Sequence, residues 1–245
     1  MQSWFKWNNI DCRAMGVHLR TAMPIIRPEE RVEHIQIPGR SGDLTQTEGE
    51  DIFNSYIHTA EIVVTGWQNV RNIYKWLRGS GELITSAEPD RKQKARVIGA
   101  ITLNRISRNM DRWAGEAQFY CQPLKELLNE EKVTLTASGN VVNRGDVISH
   151  PYWAVTVASN ATSVTLTVSR TVGASTELQT ITVTGVSAEN TFYIDSQTLE
   201  VWNYLRELTL NQYATGVFPT LRPGTNTIGG SGWSQIKITR RERYL

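Results

Sequence analysis

Charge of one sign is nowhere concentrated in this sequence. Across 245 residues there are 26 Lys and Arg against 24 Asp and Glu, a formal net charge of +2. Residues 1–130 carry 17 basic and 16 acidic side chains, and residues 131–245 carry 9 and 8. Gripping nucleic acid through its phosphates takes clustered positive charge that releases counterions. Neither half offers such a cluster, and no sequence-specific nucleic-acid binding is expected. Cysteine is scarce too. Cys12 and Cys121 are far apart and form no Cys-x-x-Cys pair, which points to buried thiols in a reducing compartment rather than a disulfide. No apolar run approaches the ~20 residues that span a bilayer, so membrane insertion is not expected. The opening "MQSWFKWNNIDCRAMG" is polar every second or third residue, unlike a secretory leader. The sequon Asn160-Ala161-Thr162 then reads as a chance match.

Catalytic signatures are also missing. There is no Gly-x-x-x-x-Gly-Lys phosphate loop, no His-Glu-x-x-His and no calcium loop of alternating acids. "GRSGD" and "GGSGW" each miss the Gly-x-Ser-x-Gly elbow by one residue. The histidines His18, His34, His58 and His150 have no metal-ligand spacing, although His34 and His58 could fall on neighbouring strands. The expectation is a protein that is not an enzyme and carries no cofactor or metal. "RKQK" at Arg91–Lys94 reads as a solvated turn. Tryptophan is plentiful, at eight residues. Trp153 and Trp233 are candidate sugar-stacking rings if exposed, and core anchors if not.

What is present is period-two patterning. In "SYIHTAEIVVTG", Tyr56, His58, Ala60, Ile62 and Val64 share one strand face, and Ile57, Thr59, Glu61, Val63 and Thr65 the other. "ARVIGAITL" and "WAGEAQFYC" read as further strands, the first reached through a turn in "EPDRKQK". One helix interrupts them. Val70, Ile73, Tyr74 and Leu77 recur at i, i+3, i+4, i+7 and Gly79 follows. From Lys132 onward short alternating runs rich in Thr and Val succeed one another, including "KVTLTASG", "YWAVTVAS", "SVTLTVSR" and "LQTITVTG". These predict a β-sandwich, with a hairpin in "IDSQTLEV" tipped by Ser196 and Gln197. The chain is therefore mainly β. Its two expected domains are residues 1–130, β-barrel or sandwich-like with one α-helix, and residues 131–245, a β-sandwich. One stretch resists this pattern: "IPGRSGDLTQTEGE" between two strands is far longer than the two to five residues of a tight hairpin. Disorder, a lid and a partner are the three explanations.

The ordered series "VEHIQIPGRSGDL", "YKWLRGSGELITSAEPDRKQKARVIG", "FYCQP", "VVNRGDVISHPYWAV", "FYIDSQTLEVWN", "FPTLRPGTNTIGGSG" and "IKITRRERYL" resembles the distal tail protein family of long-tailed, non-contractile bacteriophages. The resemblance runs over nearly the whole chain. It implies a virion structural protein of the tail tip or baseplate, made in the bacterial host cytoplasm during assembly. Such a protein forms a homohexameric ring around the DNA channel, joining the tail tube protein to the tail-tip or tail-associated hub protein, with the tape measure protein as a further contact. It also implies that the N-terminal domain builds the ring and that the C-terminal sandwich is galectin-like and projects outward. The long polar stretch then becomes a candidate inter-subunit loop, carried by Pro38, Gly39, Arg40, Gly42, Asp43 and Leu44. The competing function is a carbohydrate-binding module that uses Trp153 and Trp233 of the C-terminal β-sandwich.

Overall fold

The computed structural model describes residues 3–47, 49–172 and 175–245. The chain is mainly β, as its patterning predicts. It divides into two compact units that meet in sequence between Leu128 and Asn129.

The first unit contains β1 (Phe5–Trp7), β2 (Ile10–Asp11), β3 (Val17–Leu19), β4 (Val32–Ile35), β5 (Leu44–Thr47), β6 (Tyr56–Thr65), α1 (Trp67–Trp76), β7 (Ser80–Thr85), β8 (Glu88–Ile98), β9 (Leu103–Ser107) and β10 (Met110–Leu127). Its main sheet runs β2-β1-β7-β8-β10-β6-β3, with β9 also on β10. β6 and β10 pair from Arg112↔Thr65 to Cys121↔Tyr56. That register sends His58, Ala60, Ile62 and Val64 inward, the face the alternation predicts, to join Phe5, Trp7, Ala117, Phe119 and Cys121 in the core. Pro123 lies inside β10, where the β8 pairing shifts register between Cys121 and Lys125. A residue without an N–H is tolerated at such a bulge.

Two expectations fail in this unit. On α1 the stripe is not the predicted one: Ile73 and Leu77 are buried, but Tyr74 is exposed. Trp76 takes its place, stacking on Phe5 at 5.7 Å and 11° and donating its indole N–H to the Trp7 carbonyl at 3.2 Å. An aromatic one position from the stripe axis can swing either way, and the partner ring on β1 decides. "EPDRKQK" is strand, not turn. The reversal is at Ser86–Ala87, and Glu88–Ile98 is continuous β8. Its charges are held by neighbours, Lys92 across the sheet to Glu82 on β7 at 2.7 Å and Arg91 along β8 itself to Glu88 at 2.9 Å.

β4 and β5 pair only with each other, from Val32↔Thr47 to Ile35↔Leu44. The long polar stretch is thus strand only over Leu44–Thr47, and the chain from 32 to 47 is a two-stranded ribbon joined by residues 36–43. Residues 36–47 are all exposed. Gly39 and Gly42 both take φ +82°, a left-handed conformation open to glycine at little steric cost. The ribbon is tied at its foot by Arg31 N–H to the Ile52 carbonyl and Asn54 N–H to the Glu29 carbonyl, at 2.9 and 2.7 Å.

The second unit contains β11 (Lys132–Leu135), β12 (Gly139–Asn143), β13 (Tyr152–Val157), β14 (Ser163–Val172), β15 (Ser175–Thr184), β16 (Thr191–Asp195), β17 (Glu200–Trp202), β18 (Ala214–Gly216), β19 (Gly224–Ser231) and β20 (Trp233–Thr239). Two sheets, β11-β20-β13-β16-β17 and β12-β19-β14-β15-β18, enclose one core that includes Trp153, Leu166, Ile181, Ile194, Leu221, Ile228 and Ile238. The turn chemistry follows the sequence. Asn226 Nδ2 donates to the Arg222 and Gly224 carbonyls at 2.8 and 3.0 Å, while its Oδ1 accepts from Arg222 N–H at 3.1 Å. Asn143 likewise accepts from Gly145 N–H at 2.9 Å. In "GGSGW", Gly230 has φ +122°, and a β-carbon there would collide with the Thr165 carbonyl oxygen. The near-elbow is a close strand approach. The β16–β17 hairpin closes through residues 196–199, but Ser196 is buried and not at its tip.

Candidate subunit interface

The predicted interface residues Pro38, Gly39, Arg40, Gly42, Asp43 and Leu44 come together on the β4–β5 ribbon, every one exposed. Glu48 lies outside the described residues. A lone two-stranded hairpin is marginal in water because it buries little apolar surface and leaves both outer edges unpaired. The apolar side chains Ile37 and Leu44 are 39% and 42% exposed.

The two sugar-stacking candidates are separated by burial. Trp153 is fully buried, its indole N–H donating to Ser196 Oγ at 3.0 Å, so neither ring face can meet a sugar. Trp233 is half-buried against the sandwich core. Sequence reasoning missed an aromatic ladder on the same unit. Tyr152 and Tyr193, diagonal neighbours on β13 and β16, stack at 5.7 Å and 20°. The Arg206 guanidinium sits 4.2 Å from the Tyr193 ring centre, and Arg241 sits 5.4 Å from that of Tyr152. Asp195 holds Arg241 in a two-pronged pair at 2.6 and 2.9 Å. Only the pairing register of β13 and β16 brings these rings together.

Titratable groups in the first unit gather around a cavity of about 10 Å³ lined by Tyr56, His58, Glu88, Gln93 and Lys125, among others. Lys125 pairs with Glu88 at 2.6 Å, and Gln93 bonds the Tyr56 hydroxyl at 2.8 Å. Burial pushes the Tyr56 hydroxyl up to about 12. The same effect raises the Cys12 thiol and takes Cys121 to about 12. Both thiols therefore stay protonated at neutral pH and are poor nucleophiles. His34 and His58 do not share a site, since β4 pairs only with β5 and β6 lies in the main sheet. Among the described residues no group of three His, Cys, Asp or Glu is placed to hold a metal.

Burial, with Lys125 adding to it, lowers the His58 pKa from its ordinary 6.5. Burial also lowers His150, with help from Arg243 and Arg241. As pH falls through 6.5, the unfolded chain binds protons that the folded chain refuses, so stability declines. We expect the urea midpoint to be flat above pH 7.5 and to drop toward pH 5.5. His58→Gln should make that drop shallower, and an identical pH profile for the variant would remove His58 from the account.

No protein-family model and no curated protein matches the chain. Among solved structures it is similar to the SPP1 Dit protein, a paradigm of the hub adsorption apparatus in phages infecting Gram-positive bacteria. The TM-score is 0.74 at 17% identity, over 100% of both chains. It is also similar to a chain of the phage P2 baseplate in its activated conformation with Ca, with a TM-score of 0.51 at 8% identity over 100% of this chain and 99% of the other. At such identities the likeness is one of fold, extending end to end.

Proposed function

We propose, from that end-to-end fold, that the chain is a structural component of a phage tail tip. In this reading six copies close a ring around the DNA channel, joining the tail tube to the tip proteins that meet the host. The observation that carries the reading is the match to SPP1 Dit over the full length of both chains. The exposed β4–β5 ribbon supports it. Closed rings need two different patches per subunit that meet head to tail, and a ribbon with unsatisfied edges supplies one of them. The carbohydrate-binding alternative is weaker. It loses Trp153 to the core, and arginines already lie against Tyr152 and Tyr193.

The test is the solution mass of the purified protein together with a particle image. We expect a hexamer at tens of micromolar for the wild type. Replacing residues 32–47 with a short Gly-Ser linker should shift the mass toward monomer. The β-type circular dichroism should persist, because residues 36–47 contribute nothing to the buried core. A hexamer that survives the replacement would sink the role given to the ribbon while sparing the ring. A wild-type monomer would sink the ring as a property of the protein alone.

A further inference from the structure

The solvent side of α1 carries an aromatic and cationic stripe that the core does not use. Trp67, Arg71 and Tyr74 follow one another at i, i+4 and i+7, so they share a face. Trp67 is 59% exposed and Tyr74 46%. Arg71, Lys75 and Arg78 are exposed as well, and the twelve residues from Trp67 to Arg78 contain no acid. Two large aromatics on one helix face form an apolar patch of the kind enriched at contact surfaces. Asp111, at the start of the helix, is engaged from both oxygens, accepting from Trp67 N–H at 3.0 Å and the Trp113 indole at 3.1 Å.

The complement of that stripe is in the same chain. In sequence, residues 29–51 hold seven acids against two arginines, Arg31 and Arg40. In a chain of near-zero net charge this is a local excess of five negative charges. On the described ribbon these acids are Glu33 and Asp43, and Glu30 at its foot already faces Arg27 at 3.9 Å. Glu33 and Asp43 are exposed, as are the apolar Ile37 and Leu44.

We propose that the β4–β5 ribbon of one copy docks on the Trp67–Arg71–Tyr74 face of α1 in the next copy. The proposal rests on the ring reading and names the two surfaces that meet. Ile37 and Leu44 cover the aromatic rings, and the ribbon's carboxylates face Arg71, Lys75 and Arg78. One copy's ribbon and another's helix are different patches, which is the head-to-tail geometry a closed ring needs. Charge complementarity of this kind sets register and partner choice and weakens with salt.

Four variants of the full chain test it by light scattering at fixed concentration, with circular dichroism as the folding control. All substituted positions are exposed, so the fold should be kept. Arg71→Glu with Arg78→Glu should weaken assembly by about tenfold or more at low salt, and Glu33→Lys with Asp43→Lys should do the same. Combining all four substitutions reverses both surfaces and should restore the wild-type mass. Trp67→Ser with Tyr74→Ser removes the apolar part without changing charge and should also shift the mass toward monomer. A wild-type oligomer whose mass is unchanged in the helix-face variants overturns this contact and leaves the ring standing. A four-fold variant that remains monomeric overturns the contact as well. A wild-type monomer overturns the ring reading and the contact with it.

Discussion

Replacing Glu242 with glutamine is expected to destabilise the second unit by about 3–5 kcal/mol, the usual cost of stripping one partner from a buried ion pair. Glu242 and Arg240 are both buried, and they pair at 3.0 Å. The carboxylate is saturated. Its Oε1 also accepts from Arg144 N–H at 2.9 Å, and its Oε2 accepts from the Tyr244 hydroxyl at 3.0 Å. Glutamine keeps the size but loses the charge, and it places an NH₂ where one oxygen accepted. The Arg240 guanidinium, which also donates to the Val142 carbonyl at 2.9 Å, then stays in the interior without its direct partner and with only the half-buried Glu130 carboxyl nearby. The Arg240→Met, Glu242→Leu double variant removes both charges and should recover part of the loss, because the attraction between buried ions does little more than offset their desolvation, while Arg144 N–H and the Tyr244 hydroxyl lose their acceptor. The measurement is a double-mutant cycle by urea denaturation. A glutamine variant within 1 kcal/mol of wild type would show that water reaches the pair and that its burial does not matter.

Trp153→Ala should cost a comparable amount, about 3–5 kcal/mol, the range for truncating a large buried aromatic. The ring fills the middle of the sandwich, beside Val155, Ile194 and Ile238. Its indole N–H reaches Ser196 Oγ, which in turn donates to the Pro219 carbonyl at 2.7 Å. The loss is a large part of the 5–15 kcal/mol by which a domain is stable. The second unit should then unfold near room temperature, while the first unit keeps its own core. Trp153→Phe retains most of the packing and gives up the hydrogen bond, for about 1–3 kcal/mol. Two well-resolved transitions in the wild type, with only one displaced in the alanine variant, is the expected thermal profile. A Trp153→Ala variant of normal stability that lost affinity for a glycan would reverse the assignment and restore Trp153 as a surface ring.

Much of the fold was legible because some residues specify backbone through local chemistry alone. Alternation in Tyr56–Thr65 assigned both faces of β6 correctly, since a side-chain period of two leaves no other choice once one face is apolar. Asn226, just past Pro223-Gly224, is a residue type that braces its own turn, and its amide holds two carbonyls there. Misreadings fell where local chemistry was neutral. "EPDRKQK" has the polarity of a loop, and it is strand because β7 and β10 on either side satisfy its backbone and its charges. The helix stripe was read through Tyr74, and it is Trp76 that packs, because Phe5 supplies it with a stacking partner.

By itself, then, the sequence determined the class of the chain, its β-rich pattern with one helix, and a polar stretch too long for a tight hairpin. Those are properties of period, composition and turn residues, and they are fixed within a few residues of chain. The tertiary structure alone decided that this stretch is a paired ribbon rather than a loop, and that Trp153 is core rather than platform. It also decided that Trp67 and Tyr74 face solvent. Each of these depends on which distant strand or ring arrives beside the residue, and no local pattern encodes that arrival.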